Sequence, residues 1–148
     1  MKRFLYVCLV LIGVGVLVSC KTQKAVTVTF SDLDGEWNIV ELNGKAVKAI
    51  DGRPFILFDI PRKTLSGNAG CNRIMGNIEY NDTQKNIIKF PKIAATRMAC
   101  PDMDEEREVL QTLDKIVRFE PEGVTAPVTK IAFYGTDNTK LMVIEKKL

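Results

Sequence analysis

The spacing of apolar residues divides the chain into two unequal parts. Phe4 to Val18 is one uncharged apolar run, interrupted only by Gly13 and Gly15. From Leu33 onward the apolar runs are short and bounded by turn residues, the pattern of antiparallel β-structure. Gly35 to Leu42 predicts a first strand, and Asn43-Gly44 a two-residue hairpin, because both residues accept positive φ. Pro54 to Ile60 is almost wholly apolar and predicts a buried strand, while Thr64 to Gly70 predicts a short strand entering a glycine-rich bend. Gly76 to Tyr80 and Ile87 to Phe90 flank the polar turn Asn81 to Lys85, and Val128 to Tyr134 and Lys140 to Lys146 form a hairpin around Gly135 to Thr139. One segment has a different period. Met103, Val109, Leu110, Leu113, Ile116 and Val117 recur at three- and four-residue spacing, an amphipathic helix of about four turns. Asp102 is placed to cap it, and Asp104, Glu105 and Glu106 complement the helix dipole. That acidic group reads as a solvated helix start rather than a metal site. The fold class expected is therefore mainly β: a small antiparallel β-barrel or curved sheet with one packed α-helix, since so many strands favour closure over open edges.

The first run carries its own meaning. Lys2 and Arg3 place positive charge ahead of it, the layout of a secretory signal. Fifteen helical residues reach about 22 Å, short of the ~30 Å hydrocarbon core, so a permanent spanning anchor is not expected. Leu17-Val18-Ser19-Cys20 resembles the lipobox of bacterial lipoproteins. The resemblance implies cleavage before Cys20, a diacylglyceryl group on its thiol and acylation of the new amino terminus, palmitate being a typical chain. Two or more acyl chains make a stable membrane anchor where one holds only marginally. Residues 1–19 are thus expected to be a signal peptide, and 20–31 the lipidated Cys20 with a tether of about 18 Å end to end if it behaves as a flexible coil. Lys21 is not the aspartate that marks inner-membrane retention in enteric bacteria, which points to the outer membrane of a Gram-negative envelope, on either face.

Of 148 residues, loss of the first nineteen leaves 129, enough for one domain. The formal charge of +3 falls to +1 as Lys2 and Arg3 leave, and no basic cluster remains to suggest a nucleic-acid partner. Cys71 and Cys100 are the two cysteines of the body, and the envelope is a compartment in which disulfides persist, so they are expected to pair. Buried free thiols or a reactive thiolate are the alternatives, the last without a histidine anywhere in the chain to serve it.

Gly70-Cys71-Asn72-Arg73 and Thr96-Arg97-Met98-Ala99-Cys100-Pro101 resemble the two motifs of the META domain, the HslJ-like family of small bacterial envelope proteins. Gly35-Glu36-Trp37, Leu42-Asn43-Gly44, Phe55 to Asp59, Gly76 and Glu105 to Leu113 support the resemblance, which spans nearly the whole of residues 32–148. It implies a lipocalin-like topology with one helix against the sheet, and a link to heat-shock expression, novobiocin resistance and, in parasites, virulence, without a defined activity. Bland roles are available to the motif residues: glycines at bends, Trp37 in the core, Asn72 bonded to its own turn. Arg97 stands apart, either pairing with a helix carboxylate or presented as a possible binding group.

These residues describe placement and stability rather than chemistry. No catalytic set, metal spacing, phosphate loop or cofactor motif is present in the sequence. The function expected is a lipid-anchored, non-enzymatic module that binds an envelope protein or ligand or supports the envelope under stress, with the membrane as partner through the lipid on Cys20. An inhibitor of a host or competitor enzyme, reaching out with residues 82–86 or 120–127, is the first alternative, and a carboxylate-based hydrolase the second.

Overall fold

The computed structural model describes residues 26–48, 50–52, 54–81, 83–101, 103–123 and 126–147. The expected signal segment, Cys20 and the expected cap Asp102 lie outside the described residues. A 3-10 turn, Phe30–Leu33, leads into β1 (Gly35–Leu42) and β2 (Lys45–Ala46). Then follow β3 (Phe55–Asp59), β4 (Thr64–Asn68), β5 (Arg73–Asn77), β6 (Glu79–Tyr80), β7 (Ile88–Lys89) and β8 (Ala94–Ala95). Helix α1 (Asp104–Lys115) precedes β9 (Arg118–Pro121), β10 (Lys130–Tyr134) and β11 (Lys140–Lys146).

Nine strands form one sheet in the order β8-β5-β4-β3-β1-β11-β10-β9, with β2 paired to β1, and β6 pairs β7 separately. The sheet is open, so of the two forms expected the curved sheet is the one adopted. Its curvature follows from a distance. β3 and β10 are three strand steps apart, about 14 Å in a flat sheet, yet the Phe58 and Phe133 rings lie 6.4 Å apart. Only a sheet wrapped around its own inner face brings them together. A register shift between Ile39 and Glu41 of β1, where it pairs with β11, marks a bulge that helps the strand bend.

The enclosed space is filled by side chains. Phe90 packs on Phe133 at 5.9 Å and Phe119 at 6.3 Å from the same ring. Trp37 is fully buried and donates its indole N–H to the Leu33 carbonyl at 2.7 Å, so its one polar atom is satisfied. Helix α1 closes this core with Val109, Leu113 and, just past its end, Ile116, spaced one and two turns apart. The Asn43-Gly44 turn has positive φ at both positions, 46° and 79°, as its hairpin requires. Asn43 also donates to Glu108 at 2.8 Å, tying that turn to α1.

Three departures from the sequence reading have physical causes. The segment assigned to a tether is core from Val28: Val28 and Phe30 are buried, and the Phe30 ring stacks on Tyr80 at 4.0 Å. The helix is 12 residues long, because Ile116 already has extended backbone (φ −68°, ψ 133°) and leads into β9. Finally, β5 starts at Arg73, inside the first cysteine motif, and β8 and β9 occupy segments that show no alternation over a window long enough to reveal them.

Candidate functional site

The two cysteine motifs meet in space. Cys71 and Cys100 form a disulfide with 6.2 Å between Cα atoms, closing a loop of 29 residues. In the chain-entropy model such a loop stabilises the fold by about 3–4 kcal/mol. Beside it lies a polar cluster centred on Asn72, which is only 1% exposed. Its backbone N–H donates to Glu106 Oε2 at 2.6 Å and its Nδ2 to Glu106 Oε1 at 3.0 Å, so both carboxylate oxygens are engaged. Its Oδ1 accepts from Thr96 Oγ1 and from the Met98 N–H, each at 2.7 Å, and its Nδ2 also reaches the Met98 carbonyl at 3.2 Å. Every donor and acceptor of the carboxamide is used.

Glu106 therefore corrects one expectation. It belongs to the acidic group read as a solvated helix start, yet it is 6% exposed and points inward to receive Asn72. A buried carboxylate without donors is costly, and Asn72 supplies them. Asn72 likewise does more than bond its own turn. That local role falls to Asn68, whose Oδ1 accepts from the Gly70 N–H at 2.8 Å and whose Nδ2 donates to the Cys71 carbonyl at 3.2 Å.

The cluster holds one wall of a groove on the outer face of β3, β4 and β5. Register places Leu57, Ser66, Met75 and Ala94 in one cross-strand row, and Phe55, Asn68 and Arg73 in the next. Because side chains alternate between faces, these rows point away from the core that receives Ile56, Phe58 and Ile74. The groove has a volume of about 720 Å³, with Met98 and Thr96 at its rim. Gly67 on β4 allows close approach of β3, since a Cβ there would stand 2.2 Å from the Phe55 carbonyl oxygen. Leu57, Met75 and Met98 are 40%, 59% and 61% exposed, an apolar set left to water.

Arg97, between Thr96 and Met98, is exposed and lines the adjoining depression with Ala99, Met103 and Glu106. Among the described residues it joins no ion pair, and the helix carboxylate lining that end, Glu106, is taken by Asn72. The expected pairing with a carboxylate of α1 is thus not formed there. Of the two segments considered for reaching into an enzyme, the first is a compact turn: Gln84 N–H donates to the Asn81 carbonyl at 3.1 Å and Ile87 N–H to that of Gln84 at 3.2 Å. The second is shortened by β9, which takes Glu120 and Pro121. Among the described residues no group of three or more acidic, cysteine or histidine side chains is arranged to hold a metal ion, and no helix is long and apolar enough to cross a membrane.

Sequence reasoning missed the groove and Glu106. A signal for the groove was present: Leu57 and Met75 occupy outward parity in strands whose neighbours face in. For Glu106 no comparable signal exists, because adjacent acidic residues at a helix start look alike until one turns inward.

Comparison with known proteins gives the fold a context. No curated protein matches the chain. Among solved structures, an NMR structure of a protein from Burkholderia xenovorans superposes with a TM-score of 0.58 at 23% identity, over 80% of this chain and 86% of that one. A crystal structure of a DUF4847 family protein from Bacteroides vulgatus reaches a TM-score of 0.51 at 14% identity, over 78% and 94%. Both are similar in fold. The META domain model matches residues 27–146, a span that holds both cysteine motifs, the Asn72 cluster and the groove, and the chain belongs to the META domain family.

Proposed function

We propose that this protein is a lipid-anchored, non-enzymatic module of the cell envelope that binds a partner protein in the groove between Leu57, Met75 and Met98. The observation that carries the reading is the contrast of a filled interior with an exposed apolar outer face. Phe58, Phe90, Phe119 and Phe133 occupy the space where a lipocalin-type ligand would sit, so recognition belongs outside. Flexible, polarisable methionine suits such a surface, because it adapts to the partner that covers it. The anchor rests on Leu17 to Cys20, and the short chain between Cys20 and Val28 keeps the groove near the bilayer where an envelope partner resides.

The test is site-specific photocrosslinking in intact cells. A photoreactive residue at Met75 should give an adduct with one envelope protein, and the same residue at Lys130, on β10, should not. Absence of an adduct at Met75, or equal adducts at both positions, overturns the groove. Cys20→Ser should release the protein from the membrane fraction, and a variant that stays bound would remove the anchor.

A further inference from the structure

The rim of the groove is also the edge of the sheet, and its backbone groups are arranged for a particular kind of partner. Strand β8 pairs with β5 through Met75↔Ala94 and Ile74↔Ala95. The next rung is the Thr96 N–H donating to the Arg73 carbonyl at 3.0 Å. Just before β5 begins, the Asn72 carboxamide takes the place of a peptide group: it accepts from the Met98 N–H and donates to the Met98 carbonyl, as a neighbouring strand would. The chain from Ala94 to Met98 is thereby held on one side at alternate residues. Alternation in an antiparallel ladder turns the N–H and C=O groups of Ala95, Arg97 and Ala99 to the other side. These three residues are exposed, and no described residue bonds to the backbone of Arg97 or Ala99.

We infer that this edge accepts an extended, acidic segment of the partner protein as an added strand, with alternate apolar side chains of that segment seated over Met75 and Met98. The inference rests on the groove being the recognition surface and names what fills it. An unpaired edge selects an extended backbone, because a helix or a lipid has no row of free donors and acceptors to offer. Side chains of an added strand alternate, so every second one would fall on the face that carries Ala94 and Met75. Charge selects the sign. Arg73 lines the groove and Arg97 the depression beside it, both are exposed, and among the described residues neither side chain is paired with a carboxylate. A second copy of the chain is disfavoured by the same charges, since two-fold antiparallel pairing about Arg97 sets arginine against arginine.

The experiment uses the full lipidated chain in detergent micelles and synthetic peptides of about eight residues, a typical strand length. Three are compared: alternating valine and glutamate, alternating valine and lysine, and an acidic peptide with proline at every second position, which keeps charge but cannot complete the ladder. The first should slow amide hydrogen exchange of Arg97 and Ala99 by about tenfold or more and shift the methyl signals of Met75 and Met98, and the other two should do neither. Arg97→Glu should weaken the valine–glutamate peptide about tenfold, and added salt should weaken it in the parent. Methyl shifts without slowed exchange would overturn strand addition while leaving the groove as a binding surface. Equal binding of the lysine peptide would overturn the acidic preference. Slowed exchange that follows protein concentration without peptide would make the occupant a second copy, and no response to the valine–glutamate peptide would overturn the inference outright. Crosslinking at Met75 decides the groove independently of all four outcomes.

Discussion

The two edges of the sheet each carry an arginine, and the two are treated in opposite ways. On β9, Arg118 lies over the Tyr134 ring at 4.0 Å, pairs with Glu120 and donates from Nε to Asn138 at 3.2 Å. The edge beside it is covered: Ile87 bridges to Arg118, Ile88 N–H donates to the Val117 carbonyl at 3.0 Å, and Phe119 N–H to that of Asn86 at 2.9 Å. Arg97, by contrast, follows β8 with its side chain in water and a backbone that no described residue meets. Exposed edges invite pairing with other chains, and folded proteins cover or blunt them. One edge here is covered by the β6–β7 ribbon, and the other is blunted only by its shortness and its positive charge. The difference separates an edge built into the stability of the fold from the edge proposed above for recognition.

The largest test of that division removes an anchor of the covered edge. Phe119→Ala on β9 deletes a fully buried ring and should cost about 3–5 kcal/mol in chemical denaturation. A loss below ~1 kcal/mol would mean that this edge is not part of the core. Next is Asn72→Ala, which keeps the backbone donor to Glu106 Oε2 but strips the side-chain donor from the buried Oε1 and frees Thr96 and Met98. A loss of about 2–4 kcal/mol is expected, with Thr96 and Met98 amides exchanging faster while β9 keeps its protection. If the effect spread evenly over both edges, the cluster would not belong to β8 in particular.

The two arginines themselves give a finer comparison. Arg118 is about one-fifth exposed, and Arg118→Ala should cost about 1–2 kcal/mol through its ring contact and ion pair together. Arg97→Ala should stay within about 0.5 kcal/mol of the parent, because the side chain is exposed and joins no ion pair among the described residues. Equal losses would erase the contrast. The smallest effect lies away from both edges. Asp32 accepts from the Thr29 hydroxyl and backbone N–H, each at 2.7 Å, and these bonds hold its carboxyl below the ordinary 3.8. A depressed folded value means stability that is present above 3.8 and lost as pH falls through the folded value. Asp32→Asn should therefore lower Tm slightly at neutral pH and flatten the fall of Tm as pH drops below 3.8, so that variant and parent converge in acid. An unchanged acid slope would remove this group from the account.

How much of this was readable in advance depended on the length of each signal. β1, β3 and the β10–β11 hairpin are runs of five to eight residues with strong apolar content, and they fell where spacing placed them. The Asn43-Gly44 turn and the disulfide were legible because each depends on the chemistry of two residues. β8 was not legible. It is two residues long, and what holds its continuation is a side chain, Asn72, standing in for a strand. Met103 flanks the helix start without a side-chain bond, and the acidic residue that matters most nearby, Glu106, faces the interior rather than the dipole. Periodicity reports which residues face a core. It does not report that the same outward parity sets Leu57 and Met75 side by side on neighbouring strands, because that follows from register.

Residue-resolved hydrogen exchange of the free protein tests the central asymmetry most directly, since protection at alternate residues is the signature of a strand bonded on one side only. Slow exchange is predicted at Thr96, Met98 and Phe119, with fast exchange at Arg97 and Ala99. Arg97 and Ala99 as well protected as Thr96 and Met98, or a Met98 amide that exchanges freely, would contradict the open edge and the function built on it.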